Sequence, residues 1–383
     1  MDSREKFHAV MDGQDKAPIL KAEFAYWAGT IRKWLSQGLI QVSPVPEAIL
    51  DSEPLRGSKA ISPQYAKKVD INVMTYLGLD SYLEKFPFDI SPLVKAKTIS
   101  EDSSYRISRD SFGLIRKVSK KYTGIPMVIE YPIKDRKSFH EYIDVYDYDF
   151  TRRLPQDFYQ LSQTLKDRDF PLRLGGNPFG FSFLARHLMG EVRFMLNMYD
   201  DPQLLKDFNR FFLDYIMKYW DIILQNIDVD CIFILEDIAY RSGSFISKDM
   251  FDQFLRPYYI EFIDYLAQYD IKHIFVDCDG LIDELIPLWL DVGVNGIFPI
   301  EAVNDLEKIS YDYPGLKLLG GFDKRVLFEG SDRHKIDEEL EMVGRVMDRG
   351  CYIPHIDHAV SEDVTWENFK YYRNRLNDIC DKK

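Results

Sequence analysis

A (β/α)8 barrel of the TIM type is the α/β fold predicted for this 383-residue sequence, on three observations. From about residue 170 onward, short apolar runs alternate with amphipathic stretches, the pattern of a parallel sheet covered by helices. These runs have the length of buried strands, and most of them end in polar residues, as the strands of such barrels do. Neither a linker nor a low-complexity tract divides the chain, so we expect residues 1–383 to form a single domain.

The first strand candidate is PILKAEF at 18–24, and a long segment without regular alternation follows it. Within that segment, 104–120 alternates like a hairpin and 132–143 resembles a short helix, so we interpret about 45–160 as an insertion over the barrel mouth. The regular strand candidates after it are 171–176, 230–237, 271–278, 295–301, 316–323 and 351–357.

Two helices between these strands have clear start signals. Asp201 followed by Pro202 predicts the N-terminus of a helix over 201–226, since Asp is a good cap and Pro suits the first helical position. Ser247 predicts the start of a second helix that runs to about residue 269.

Charge and composition argue against several kinds of partner. With 49 Lys and Arg against 62 Asp and Glu, the formal net charge is −13, which argues against nucleic acid or an anionic membrane as the main partner.

The N-terminus is charged and no run of about 18 apolar residues occurs, so we expect a cytoplasmic protein. The four cysteines lie far apart without CxxC spacing, which indicates free thiols.

Reactive groups in parallel barrels lie on the loops that follow the strands. Any single Asp at such a position is as well explained as the cap of the next helix. Glu and Cys are poor caps, and His358 lies well ahead of its helix, so Glu236, Cys278 and His358 are stronger candidates. The polar residues at the predicted strand ends are Glu23, Asn177, Glu236, Asp237, Asp277, Cys278, Asp279, Glu301, Asp323, Lys324, His355, Asp357 and His358.

If Cys278 and His358 converge with a carboxylate, they form a sulfur, nitrogen and oxygen shell that zinc accepts, with an open position for a substrate heteroatom. Alternatively, Cys278 is a small buried apolar residue and His358 a loop residue bonded to backbone. Ligands from different strands leave no local motif, so their spacing does not decide between these interpretations.

Four segments resemble the uroporphyrinogen decarboxylase superfamily, which also contains the corrinoid-dependent methyltransferases. They are FLRPYYIEFIDYL (254–266), VDCDGLIDELIPLWLDVGVNGIFPIE (276–301), LLGGFDKRVL (318–327) and HAVSEDVTWENF (358–369). The resemblance implies a (β/α)8 barrel with its cleft at the C-terminal ends of the strands.

The N-terminal strand distinguishes two activities of that family. Its decarboxylases carry an arginine-containing loop there, whereas this chain has Glu23, Tyr26 and Trp27 at that exit without paired arginines. An octa-anionic porphyrinogen would also meet like charge from the acidic strand ends. We therefore rank decarboxylation below methyl transfer.

The family's methyltransferases bind zinc through a His-x-Cys pair and a Cys near the last strand. Cys278 matches the Cys of the pair, Val276 stands at its His position, and His358 takes the late position. A carboxylate, with Glu236 the first choice and Glu301 the second, would have to complete the shell.

The resemblance thus favours a methyltransferase that moves a methyl group between a small O-methyl or N-methyl compound, a thiol or a pterin and a corrinoid on a separate protein. A homodimer is one expected assembly. The alternatives are a carboxy-lyase of the uroporphyrinogen decarboxylase type and a barrel that binds a corrinoid or another ligand without catalysis. The expected roles are zinc binding by Cys278, His358 and Glu236, catalysis by Glu236, Asp237 and Glu301, and substrate binding by Glu23, Tyr26, Trp27, Asn177 and Asp323.

Overall fold

The computed structural model describes residues 1–45, 54–56, 61, 68–120 and 126–382. The strands in chain order are β1 (Glu84–Lys85), β2 (Lys97–Glu101), β3 (Tyr105–Arg109), β4 (Ile115–Ser119), β5 (Met127–Glu130), β6 (Leu172–Gly175), β7 (Cys231–Leu235), β8 (Ala239–Tyr240), β9 (Gly243–Ser244), β10 (Ile274–Asp277), β11 (Gly296–Ile300), β12 (Lys317–Phe322) and β13 (Tyr352–Ile356). The helices are α1 (Ser3–Met11), α2 (Ala28–Ser36), α3 (Asn72–Leu77), α4 (Arg136–Ile143), α5 (Phe158–Thr164), α6 (Phe181–Met189), α7 (Glu191–Asp200), α8 (Pro202–Leu224), α9 (Lys248–Phe254), α10 (Arg256–Ala267), α11 (Ile286–Asp291), α12 (Leu306–Asp312), α13 (Arg333–Met347) and α14 (Trp366–Cys380).

A curled parallel sheet of seven strands forms the centre of the molecule and confirms the predicted TIM-type fold. Its strands lie in the order β1, β6, β7, β10, β11, β12 and β13, and every neighbouring pair is parallel. The six strands predicted from residue 171 onward all occur. Each is an apolar run that is buried on both faces, which is why composition alone located them.

The predicted first strand at 18–24 is not a regular strand, but its segment lies between the two edges of the sheet. On one side, the Asp80 N–H donates to the Lys21 carbonyl at 3.0 Å, and on the other the Val360 N–H donates to the Ala25 carbonyl at 2.9 Å. The Glu23 side chain accepts from the Ile356 N–H at 3.1 Å. A carboxylate here replaces a backbone carbonyl, so the extended segment bridges the two edges without a continuous ladder.

The predicted insertion at about 45–160 includes a strand of the barrel itself, since β1 pairs with β6. Two residues are too few for a periodic signal, so this strand was not predicted. The rest of the segment includes an antiparallel sheet, β2 to β5, and the predicted hairpin and helix correspond to β3–β4 and to α4. This sheet packs on α6, where the rings of Phe112 and His187 are 5.6 Å apart. Residues 46–53, 57–60, 62–67 and 121–125 lie outside the described part.

Helices cover the outer face of the sheet, and their starts follow from local sequence. Asp201 caps α8 by accepting from the Leu204 N–H at 3.2 Å, with Pro202 in the first turn, as predicted. Ser247 caps α9 as predicted, but the helix expected to reach residue 269 is divided at Leu255 into α9 and α10. Pro257 has no N–H for the helical ladder and so favours this break. No helix in the described ranges is long and apolar enough to cross a membrane.

Candidate active site

The direction of each side chain at the strand ends follows from the strand alternation. The rings of Phe233 and Phe275 stack at 5.0 Å inside the barrel, and Phe298 packs against Phe233 at 5.1 Å. Since successive side chains point to opposite faces, Asp277 faces the interior with Phe275, whereas Cys278 faces the helix layer. The one-residue difference between these neighbours decides which of them belongs to the barrel mouth.

Four carboxyl groups gather around His358 at the C-terminal end of the sheet; we call Asp237, Asp277, Asp279 and Glu301 the acidic cluster. The Asp279 N–H donates to Oδ1 of Asp237 at 3.3 Å, and the Gly280 N–H donates to Oε2 of Glu301 at 2.7 Å. Nε2 of His358 lies 3.5 Å from Oδ2 of Asp279. The predicted catalytic residues Asp237 and Glu301 therefore meet at one place with His358.

Two carboxyl groups of the acidic cluster titrate near neutral pH. Burial, followed by the charges of Asp237 and Asp279, raises the pKa of Asp277 to about 8. Burial and the charge of Asp279 raise the pKa of Asp237 to about 7. Like charges held this close in a desolvated site resist simultaneous ionisation. The site therefore holds protons on carboxyl groups at a pH where isolated ones would have lost them.

Asp237 also has a backbone conformation that favours glycine. Its φ is +47°, in the left-handed region, where a residue with a side chain pays a conformational cost. Such outliers concentrate at functional sites, because the surrounding structure holds them in place for a purpose other than stability.

His358 combines a raised pKa with an aromatic wall. Burial alone would lower the pKa of its imidazole, but the hydrogen bond and charge of Asp279 raise it above its ordinary value. The Phe24 ring lies 5.1 Å from the His358 ring and stacks on Phe298 at 5.1 Å. The mouth thus places acidic groups and an imidazole beside an apolar surface.

The ligand set predicted for zinc does not converge. Cys278 is 1% exposed, its thiol contacts the Asp279 carbonyl at 3.3 Å, and burial raises the thiol pKa well above its ordinary value. Among the described residues, Cys278, His358 and Glu236 do not belong to any group of three potential ligands whose atoms all lie within 4.8 Å of one another. A thiol held protonated on the helix side of the sheet does not fit zinc at the mouth.

Glu236 stabilises the start of α6. Its Oε1 accepts from the Phe181 N–H at 3.1 Å and the Tyr259 hydroxyl at 2.7 Å, and its Oε2 accepts from the Ser182 N–H at 2.7 Å. A Cβ at Gly180 would collide with the Leu235 carbonyl oxygen, so glycine permits this close approach of α6 to β7. Glu236 lies two residues after Ile234 and shares its outward face, so the structure does not bring it to the mouth with Asp237 and Glu301.

Two of the predicted substrate-binding residues at the first segment lie in the core. Glu23 is 6% exposed and bonds to Ile356, Tyr372 and Arg373. The ring of Tyr26 is fully buried and packs on Trp34 and Phe369. Neither reaches the acidic cluster; the interior position in this segment belongs to Phe24.

The other predicted substrate-binding residues lie at loop positions. Asp323 caps the short helix that follows β12 and pairs with Arg325 at 2.7 Å, so capping explains it. Trp27 precedes α2, and its N–H donates to the Val360 carbonyl at 3.3 Å. Asn177 is exposed after β6. Substrate binding by Trp27 and Asn177 stays a prediction.

Sequence reasoning missed Arg173, a buried cation inside the barrel. Its guanidinium lies over the Phe233 ring at 4.7 Å, and its Nε has no hydrogen-bond partner among the described residues. Burial and then the charge of Arg56 lower its pKa to about 10. An arginine in the middle of the apolar run PLRLGG was the available signal, since arginine is rarely buried without a partner.

Comparisons with known proteins agree with the fold. The model of the family described as uroporphyrinogen decarboxylase (URO-D) matches residues 111–378. A methyltransferase from Methanosarcina mazei is similar in structure, with 13% identity over 100% of this chain and 99% of that one and a TM-score of 0.63. A B12-independent methionine synthase from Shewanella sp. W3-18-1, in complex with selenomethionine, has 12% identity over 95% and 97% and a TM-score of 0.45. No curated protein matches the sequence significantly.

Proposed function

Because the chain belongs to the uroporphyrinogen decarboxylase family, we propose that it is a methyltransferase acting at the acidic cluster. It removes a methyl group from a small O-methyl or N-methyl compound and passes it to a corrinoid on a separate protein. The observation that carries this proposal is the pair of carboxyl groups with a pKa of about 7 and about 8 beside His358. A leaving oxygen or nitrogen needs a proton, and these groups hold one at neutral pH.

In this proposal each group at the mouth has one task. Asp237 donates a proton to the leaving heteroatom, and Asp277 serves as the neighbouring proton store. His358 and Asp279 orient the heteroatom by hydrogen bonding, while Phe24 contacts the apolar part of the donor. The carbon–heteroatom bond breaks, its electron pair stays on the heteroatom, and the proton from Asp237 completes the demethylated product.

The partner supplies the methyl acceptor. A reduced corrinoid would provide the nucleophile that takes the methyl group. The net charge of −13 does not by itself identify the surface that binds the partner. Zinc has no step here, since Cys278 and Glu236 do not face the mouth. Acid catalysis by carboxyl groups therefore takes the place of a Lewis acid in the proposed reaction.

A second candidate, a carboxy-lyase acting on a small carboxylate, is favoured by Arg173. A buried guanidinium whose Nε has no partner among the described residues is suited to a carboxylate that enters the barrel. Arg56 adds positive charge near it. The acidic cluster at the mouth would still disfavour a substrate with many carboxylates.

One assay separates these functions and a non-catalytic barrel. The purified protein is mixed with free reduced cobalamin and a panel of methoxyaromatic compounds and methylamines, and loss of the reduced corrinoid absorbance is followed. We expect turnover that Asp237→Asn reduces by about 10²- to 10⁴-fold and that the exposed Asp283→Asn preserves. Carbon dioxide release from a small carboxylate without corrinoid would support the lyase. Ligand binding without either reaction would support the binding barrel.

A further inference from the structure

A second cluster of potential ligands lies at the opposite end of the barrel from the acidic cluster. His8 and Asp12 are four residues apart at the end of α1 and so share one helical face. His273 directly precedes β10. One ligand atom from each of these three residues lies within 4.8 Å of the other two. We propose that His8, Asp12 and His273 bind a divalent transition-metal ion, with zinc the best match.

The strongest support is His273, a buried imidazole whose Nε2 contacts Asp12 without a hydrogen bond between them. The residue is 2% exposed, and its Nδ1 has no partner among the described residues. Its Nε2 lies 3.4 Å from Oδ1 of Asp12, a contact without hydrogen-bond geometry. Buried polar atoms are nearly always satisfied. A cation bound between Nε2 and Oδ1 of Asp12 would replace this long contact with two coordinate bonds.

His8 has a carboxylate partner of the kind that accompanies metal-binding histidines. Its Nε2 lies 2.7 Å from Oδ1 of Asp230, and that carboxylate is fixed by Arg168 at 2.7 Å and by the Leu172 N–H at 2.7 Å. A carboxylate that accepts one imidazole N–H fixes the tautomer and leaves the lone pair on the other nitrogen. Asp230 thus plays the orienting part for His8 and is not itself one of the three ligands.

The three side chains provide the donors and spacing that zinc requires. Two imidazoles and one carboxylate, with water in the fourth position, form a tetrahedral shell with bonds of about 2.0–2.2 Å. Such bonds place neighbouring ligand atoms about 3.3 Å apart, and the His273–Asp12 pair is already at 3.4 Å. Lys317 is the nearby opposing charge, since it interacts electrostatically with His273. Asp12 offsets that charge.

The ion would link α1 to the start of β10. This is the end of the barrel at which the strands begin, where residues contribute to stability and not to catalysis. Its loss should therefore leave any activity at the acidic cluster unchanged. Success or failure of this site is also independent of the methyltransferase proposal, because binding and thermal stability are measured without a substrate.

The test is calorimetric titration of the chelator-treated full chain with zinc chloride, together with the melting temperature. We expect one equivalent of zinc and a rise in Tm of about 5 °C in excess zinc. Asp12→Asn and His8→Gln should each weaken binding by about tenfold or more, whereas the exposed neighbour Asp15→Asn should not. Cobalt should give a visible absorption band of a tetrahedral site in wild type that Asp12→Asn loses.

Asp279→Asn distinguishes this site from the acidic cluster. Zinc binding that disappears in Asp279→Asn but persists in Asp12→Asn and His8→Gln would overturn the proposal. So would the absence of a binding heat in the wild type at zinc concentrations up to about 100 times a micromolar Kd.

Discussion

At the scale of single residues, the neighbours Asp277 and Cys278 show how a one-residue step changes chemistry. Asp277 is the last residue of β10 and Cys278 the next one, but Asp277 belongs to the acidic cluster while Cys278 is buried on the helix side. Sequence reasoning placed both residues at a strand end, where the structure also has them, because strand ends mark the mouth of a parallel barrel. It could not find the orientation, because that depends on the exact residue at which the alternation begins.

Asp277 should make stability depend on pH. Its pKa in the folded protein is about 8 against an ordinary value of 3.8, so the folded state binds the proton more tightly than the unfolded chain. The stability it contributes is complete below about pH 4 and is lost as the pH rises towards 8. Asp277→Asn keeps the uncharged shape and does not lose this stability, so its free energy of unfolding relative to wild type should increase between pH 5 and pH 8.5 by at least about 1 kcal/mol.

Thermal melts of Asp277→Asn and wild type at the two pH values measure this effect. The exposed Asp283→Asn is the control and should change Tm equally little at both. A variant that is destabilised by the same amount at pH 5 and pH 8.5 would contradict the assignment of a protonated Asp277.

Asp237 should make the rate of the proposed reaction depend on pH. A general acid works only while protonated, so the rate should fall as the pH rises through about 7, the pKa of Asp237. Asp237→Asn should reduce kcat by about 10²- to 10⁴-fold. Steady-state rates between pH 5.5 and 9 check both; a rate that increases above pH 8 would exclude Asp237 as the donor.

At the scale of elements, local signals located most helices and strands but not their breaks. The caps Asp201 and Ser247 were readable because their side chains bond to the next turn. The strands after residue 170 were readable as apolar runs. The segment at 18–24 was predicted as a strand but is not a regular one, because the Glu23 side chain there replaces a backbone partner. The strand β1 was not predicted, because it is only two residues long.

The junction of β7 and α6 depends on Glu236, which accepts three hydrogen bonds. Glu236→Ala should lower the free energy of unfolding by about 3 kcal/mol or more, since it leaves buried donors without an acceptor. Glu284→Ala, at an exposed position, should change it by less than about 0.5 kcal/mol. Urea unfolding measures both. A near-neutral Glu236→Ala would show that water satisfies the start of α6.

At the scale of the whole molecule, closure of the barrel depends on side chains from distant parts of the chain. Arg373 of α14 donates to the Ala22 carbonyl at 2.9 Å and lies 3.4 Å from Oε1 of Glu23, while Glu23 accepts from Ile356 at the end of β13. The C-terminal helix thus fixes the N-terminal segment against the last strand. This long-range closure has no local sequence signal. The homodimer expected from the family resemblance stays a prediction.

Arg373→Met should destabilise the protein more at high pH than at low pH. Both charges of the pair are buried, so removal of Arg373 leaves an uncompensated carboxylate at a cost of about 3–5 kcal/mol. Burial already raises the pKa of Glu23 to about 7, and without Arg373 the pKa should rise further, so Glu23 is neutral at pH 5. The destabilisation should therefore shrink as the pH falls. Arg375→Met, whose side chain is 54% exposed, is the matched control and should be nearly neutral in urea unfolding at pH 5 and pH 8. Equal destabilisation of Arg373→Met at both pH values would mean that its bond to Ala22, and not its charge, closes the barrel.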